Sequence, residues 1–277
     1  MKYLVLGSEG QVGLALTQYL KKRGDTVYEF DIVRNPEEDL RIYNNAILEK
    51  YLADCDFVFF LAFDVGGSLY LKKYQNTYEF ISNNVKIMNS TFDLLRKYKS
   101  KFIFTSSQMS NMNYSSYGVL KAIGEYYTKV LGGLIVKFWN VYGIENDPEK
   151  THVITDFVLK AKNSKCIDML TDGTEVRQFL YADDACEAMT TLAQKYAEIP
   201  RDQELHITSF EWISILDIAG IIAHHFPGTV IKPSQSIDNV QQGKRNEPDI
   251  SIKNYWKPKT KMPEGISQIV AFYNGGK

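Results

Sequence analysis

The segment that most constrains this chain is KYLVLGSEGQVGLALTQYL, residues 2–20. A short apolar run ends in Gly7, Gly10 and Gly13, and apolar residues then recur at helical spacing at Val12, Leu16, Tyr19 and Leu20. Glycines between a strand and a helix serve three needs: a tight turn, close approach of backbone to a pyrophosphate, and close helix-on-strand packing. The helix start then offers free N–H groups and a partial positive charge to phosphates. Gly7, Gly10, Gln11, Val12 and Gly13 are therefore the expected dinucleotide contacts.

The rest of the first half repeats this alternation. TVYEFD, DFVFFLA and KFIFTS are short runs rich in Val, Phe, Ile and Tyr, and Val85, Met88, Phe92 and Leu95 mark another helix between two of them. Near-continuously apolar strands separated by helices argue a parallel sheet covered on both faces, a doubly wound α/β domain. After Val141 the pattern loosens: VITDFVLKAKN, DDACEAMTTLAQKY and SILDIAGIIAHHF read as helices and VRQFLY as a strand, with prolines punctuating the remainder. The expected division is 1–141 for the cofactor and 142–277 mainly for a smaller substrate-binding lobe, with some of its segments returning to the first domain.

Thirty-two Lys and Arg against 33 Asp and Glu leave no basic field for nucleic acid. No apolar run reaches the ~18 residues of a membrane span, and MKYLVLG runs into a strand with no signal peptide. A cytoplasmic location is expected. Cys55, Cys166 and Cys186 show no CxxC spacing and the four histidines no ligand spacing, so no metal is expected.

The second strand-like run closes with Asp31, about twenty residues beyond the glycine loop. A carboxylate there accepts hydrogen bonds from ribose hydroxyls and repels a 2′-phosphate, favouring NAD over NADP. Arg34 is the residue that could serve the phosphate instead. Near mid-chain, YSSYGVLK places Tyr117 and Lys121 one helical turn apart. A phenol is a poor base at neutral pH. A lysine on the same helix face, with the positive ring of an oxidised nicotinamide, could lower its pKa so that it removes a hydroxyl proton while hydride leaves the same carbon.

Together these residues resemble the extended branch of the short-chain dehydrogenase/reductase superfamily, the nucleotide-sugar epimerases and dehydratases related to UDP-galactose 4-epimerase. The resemblance covers most of the chain and implies a Rossmann-type fold. GSEGQVG resembles the branch's GxxGxxG, and Asp39-Leu40 its pair at the adenine amino group. Leu61-Ala62 is similar to the strand end beneath the cofactor, and NNVKIMNSTFDLL to the helix whose Asn84 approaches it. KFIFTSSQM resembles the strand that delivers the catalytic hydroxyl, which makes Ser107 the matching residue beside Tyr117 and Lys121. KFWNVYG is similar to RxxNxYG, with Asn140 at the substrate. DGTEVRQFLYADDACEAM and GKRNEPDIS supply Arg177 and Arg245 as the expected diphosphate-binding arginines.

Three departures shape the expected activity. Gln108 and Met109 stand where this branch's dehydratases carry an Asp-Glu pair, and neither exchanges protons. Ser107 and Tyr117 are ten residues apart where about two dozen are usual, and Lys137 replaces an arginine. The resemblance thus implies NAD-dependent chemistry at C4 of a nucleotide-diphosphate sugar, as a 4-epimerase or 4-dehydrogenase. An NAD(P)H-dependent 4-keto-sugar reductase and a non-catalytic NAD(P)-binding sensor stay open, and a homodimer through the Tyr117 helix is expected.

Overall fold

In the computed structural model, residues 1–145, 147, 151–237 and 246–275 are described. β1 (Lys2–Leu6) shows why the chain needs two covering layers: Tyr3, Leu4, Val5 and Leu6 are all completely buried, so neither face of the strand meets water. β1 turns into α1 (Gln11–Lys22), followed by β2 (Thr26–Phe30), α2 (Ala46–Asp54) and β3 (Phe57–Phe60). Next come α3 (Ser68–Tyr74), α4 (Tyr78–Tyr98), β4 (Phe102–Ser107), α5 (Ser116–Leu131), β5 (Leu134–Phe138) and β6 (Asn140–Tyr142). The second half supplies α6 (Val153–Ser164), β7 (Cys166–Asp168), β8 (Val176–Tyr181), α7 (Ala182–Gln194) and β9 (Leu205–Ile207). β10 (Trp212–Ser214), α8 (Ile215–His224), β11 (Val230–Lys232) and α9 (Met262–Tyr273) complete it.

The main sheet is parallel throughout, in the order β2-β1-β3-β4-β5-β9. Successive residues point to opposite faces, and the two cores divide by that rule. Tyr3, Val5, Phe57, Phe59, Ile103 and Val136 join α1 and α7 on one side. Leu4, Leu6, Val58, Phe60, Phe102 and Phe104 join α2, α4 and α5 on the other. α7 and β9, both from the second half of the sequence, are thus layers of the first sheet. The remaining elements form a lobe with its own core of Ile154, Phe157, Val158, Ile218, Ile222, Ile266 and Ile269. It is built on a β10-β8-β6 sheet and a β11-β7 pair.

Chain order reverses between β1 and β3, because β2 lies on one side of β1 and every later strand of the sheet on the other. Loops leaving those two strands diverge and open a crevice at their carboxyl ends, the binding position of doubly wound sheets.

Candidate active site

The glycine loop stands at that crevice, and its glycines do different work. Gly7 has φ +87°, and a Cβ there would lie 2.8 Å from the Ala62 backbone after β3. At Gly13 a Cβ would lie 1.9 Å from the Gly7 carbonyl, so α1 can sit on the loop only without one. Gly10 caps α1 with no side-chain hydrogen bond, and its Cβ would meet only the Gly7 carbonyl, at 3.4 Å. The open cradle thus lies at Gly10, where the first N–H groups of α1 begin. The Gln11 side chain turns away from it: its amide spans the Val141 carbonyl (3.2 Å) and the Gly143 N–H (3.1 Å), tying α1 to the end of β6. Val12 packs on the core under the sheet.

Asp31 follows β2 and its carboxylate faces the loop, accepting from the Glu9 N–H at 3.0 Å and the Val33 N–H at 2.9 Å. Arg34 is engaged by two carboxylates, Glu29 at 3.6 Å and buried Glu38 at 3.5 Å, and Glu38 also accepts from the Asp31 N–H. The Asp39 carboxylate is gripped by the Arg41 guanidinium at 2.8 Å, and Leu40 is buried in the core. Leu61 and Ala62 lie immediately beyond β3, with the Leu61 N–H donating to Leu6. Asn84 is completely buried, and its amide is taken up locally: Oδ1 accepts from the Asp64 N–H at 2.7 Å, and Nδ2 donates to the Asp64 and Phe80 carbonyls. It fixes the loop after β3.

Tyr117, Lys121 and Ser107 meet at the end of β4. Tyr117 and Lys121 share the buried face of α5, and Ser107 lies near enough to the Tyr117 hydroxyl to bear on its pKa. Ser107 also accepts from the Met109 N–H at 3.1 Å. Lys121 Nζ donates to the Thr105 carbonyl at 2.7 Å and lies 3.9 Å from the centre of the Phe63 ring. The electrostatics differ from the expected depression of the phenol. Burial pushes Tyr117 up to about 12, with the nearby Ser107 hydroxyl pulling the other way. Burial also brings Lys121 down to about 7, opposed by Glu125. Both groups favour their neutral forms because so little solvent reaches them.

The short link between Ser107 and Tyr117 is closed by a single 3-10 turn, Gln108–Asn111, and by Ser115, which caps α5 by accepting from the Gly118 N–H. Gly118 makes the link possible: a Cβ there would lie 2.2 Å from the Met109 carbonyl. Sequence reasoning missed that Asn246 clasps this turn, donating at 2.9 Å to both the backbone and side-chain oxygens of Gln108. It also missed Glu125, one turn beyond Lys121, although a spacing of four carries on from Tyr117 through Lys121 to Glu125.

On the lobe side, Asn140 donates to the Gln178 carbonyl at 3.0 Å. β6 pairs with β8, which carries Arg177. Arg177 is partly buried, which lowers its pKa against the pull of Glu175, and it donates to the Val176 carbonyl at 2.8 Å. Arg245 lies outside the described residues. Among the described residues no cluster of three metal-ligating side chains occurs, and no helix is long and apolar enough to cross a membrane.

A Methanocaldococcus jannaschii protein provisionally named UDP-glucose 4-epimerase is 28% identical over 207 residues, or 64% of this chain and 65% of that one. GDP-L-fucose synthase of Sinorhizobium fredii is 27% identical over 138 residues, 47% of this chain and 43% of that one. The chain thus spans less than two thirds of the length of either relative. The Bordetella bronchiseptica enzyme WbmF, solved with NAD+ and UDP, shares the fold with a TM-score of 0.81 at 19% identity, covering 99% of this chain and 92% of that one. Residues 3–207 match the NAD-dependent epimerase/dehydratase family along most of the chain, and the chain belongs to that family.

Proposed function

We propose that this protein carries out NAD-dependent oxidation and reduction at C4 of a nucleotide-diphosphate sugar, as a 4-epimerase or 4-dehydrogenase. The observation that carries this reading is the meeting of Tyr117 and Lys121, on the buried face of α5, with Ser107 at the end of β4, on the same carboxyl side of the sheet as the glycine loop. The dinucleotide would be held by Gly7, Gly10, Gly13 and the first amides of α1 at its phosphates and by Asp31 at its adenosine ribose. Leu61 and Ala62 would lie beneath it and Lys121 would be within reach. Gly10 leaves the room that a phosphate needs, so the residues fit the group. Asp31 and Glu38 make the ribose end acidic, and Arg34 is already paired with Glu29 and Glu38, which favours NAD over NADP. When bound, NAD supplies the hydride acceptor and a positively charged ring beside Tyr117.

Tyr117 removes the proton of the C4 hydroxyl, and Ser107 donates to the same oxygen and shortens the proton's path. The ammonium form of Lys121 stabilises the phenolate, offsetting a burial that holds the free phenol at about 12. Asn140 and Arg177 bind the substrate's diphosphate end from the lobe; apart from Asn140, residues 1–141 serve the cofactor, and 142–277 mainly the sugar nucleotide. Neither the Gln108 amide nor the Met109 thioether can act as a general acid or base for elimination near neutral pH, so dehydration is not proposed. The same residues run in reverse would serve a 4-keto-sugar reductase, and retention of Tyr117, Lys121, Asn140 and Arg177 together argues against a sensor.

The test is Tyr117→Phe, assayed with UDP-linked and GDP-linked hexoses and with free NAD or NADH. Turnover should fall by at least ~10³-fold, as loss of a general base implies, while dinucleotide recovered on denaturation matches wild type. A Phe variant that keeps more than a few per cent of activity overturns the assignment. NAD released stoichiometrically from the wild type favours an epimerase or a dehydrogenase that recycles its own cofactor, and its absence a reductase using free coenzyme. A homodimer through α4 and α5 completes the reading, since Tyr78, Ile81, Val119, Ile123, Tyr126 and Val130 are exposed on those helices.

A further inference from the structure

One helical turn beyond Lys121 lies a row of buried charge that the proposed reaction leaves unused. Ser106, Lys137 and His206 stand side by side on β4, β5 and β9, because Ser106 pairs with Lys137 and Lys137 with His206. All three are buried. Glu125 reaches this row from α5: it accepts a hydrogen bond from Ser106 and lies 3.7 Å from Lys137 Nζ. Lys137 also donates to Glu204 at 3.0 Å, and the other Glu204 oxygen meets His206 Nε2 at 2.9 Å. His206 Nδ1 accepts from the Trp139 indole at 3.2 Å, which leaves its proton on Nε2, facing Glu204. Glu204 is half exposed, so the row ends in solvent there.

The groups facing Lys121 can be named from each element around it. α5 itself brings Tyr117 and Glu125, and β4 brings the Thr105 carbonyl and the Phe104 ring. The loop after β3 brings Phe63, and β5 brings Lys137, which bears on Glu125. α4 meets α5 further along, where Tyr127 stacks on Phe92 and donates to Asn89. Glu125 is thus the carboxylate that bears on Lys121, and its own charge is divided with Lys137, which Glu204 draws the other way.

We propose that Glu125 is a positioning residue for the reaction, setting the charge on Lys121, and that Lys137 and Glu204 adjust how strongly it does so. The proposal rests on the catalytic reading of Tyr117 and Lys121 given above. It separates from a simple brace between α5 and β5 by sign. Without the negative charge at 125, Lys121 gives up its proton at lower pH. Without the positive charge at 137, Glu125 acts unopposed and Lys121 holds its proton to higher pH. Loss of Glu204 leaves Lys137 wholly to Glu125, a weaker change in the same direction as loss of Glu125 itself.

The experiment is a heteronuclear NMR titration of lysine side chains in the full chain, with the Lys121 signal assigned by its loss in Lys121→Met. Glu125→Gln should lower the Lys121 midpoint by at least about half a unit, within the usual reach of one nearby charge. Glu204→Gln should lower it less, and Lys137→Met should raise it. The limb of the kcat profile that follows Lys121 should move with each. No shift in Glu125→Gln, or shifts of one sign in Glu125→Gln and Lys137→Met, overturns the proposal. If Lys137→Met does not fold, the exposed Glu204→Gln decides: a shift as large as that of Glu125→Gln, or none, counts against it. If Tyr117→Phe stays active, the catalytic reading fails while the titrations still stand. If Tyr117→Phe is dead and the midpoints do not move, the role of Glu125 alone fails.

Discussion

Lys121 carries the clearest consequence for a single residue. Its folded-state pKa of about 7 lies below its ordinary 10.5. Between those two values the unfolded chain binds a proton that the folded one does not. Stability therefore rises with pH across this window, and below about pH 7 the burial penalty is present in full. Tyr117, held near 12, acts in the opposite direction only above pH 10. Thermal melts of the unliganded protein should thus show wild type gaining on Lys121→Met between pH 7 and 10. The full difference is of order 4 kcal/mol at about 1.4 kcal/mol per unit. A difference that does not change with pH would mean that the ammonium is solvated in the folded state. Tyr117, Lys121 and Ser107 were legible in the sequence because a helix repeats every four residues and a strand end is easy to count from. The direction of the pKa shifts was not legible, because it depends on Phe63, Phe104 and Thr105 closing around Lys121. Nor were Lys137 and His206, whose partners come together only through pairing of β5 with β9.

The junction of β1 with α1 separates folding from binding within one turn. A Gly13→Ala methyl would be driven into the Gly7 carbonyl, so α1 could not dock and the melting temperature should fall by several degrees. Gly10 has φ −69°, and the nearest atom to an added Cβ is 3.4 Å away, so Gly10→Ala should fold with a loss of only about 1 kcal/mol. Its methyl would still narrow the phosphate cradle. Isothermal titration should therefore show Gly10→Ala losing at least ~10-fold in NAD affinity, about 1.4 kcal/mol, with its melt nearly intact. Equal damage to the melts of both variants would deny the cradle its role. Elements like these were readable from apolar period and glycine position. Three-residue strands such as β6, β7 and β9 were not, since LHI has no period to detect and its place beside β5 is set by packing far along the chain. The Asn246 clasp was invisible for the same reason, being a contact across 138 residues.

At the scale of the whole molecule, α5 faces two ways. Its inner side carries Tyr117, Leu120, Lys121 and Gly124, and a Cβ at Gly124 would lie 2.3 Å from the Phe104 ring, so the helix is pressed onto the sheet. Its outer side exposes Val119, Ile123, Tyr126, Tyr127 and Val130, with Val130 86% exposed, and α4 adds Tyr78 and Ile81 beside it. Exposed apolar side chains gathered on two packed helices would suit an interaction site. A second copy pairing α4 and α5 against the same helices would bury it symmetrically, residue against residue about a two-fold axis. Such an interface would hold the helix that carries Tyr117 and Lys121 from both sides. The double substitution Tyr126→Glu and Val130→Glu places four like charges across that axis and should turn a dimer into a monomer by light scattering. It should also lower the melting temperature and slow turnover, because α5 loses its outer support while Tyr117 keeps every contact inside its own chain. A wild-type protein that is monomeric at tens of micromolar, or a double variant that stays dimeric, would remove α5 from the interface.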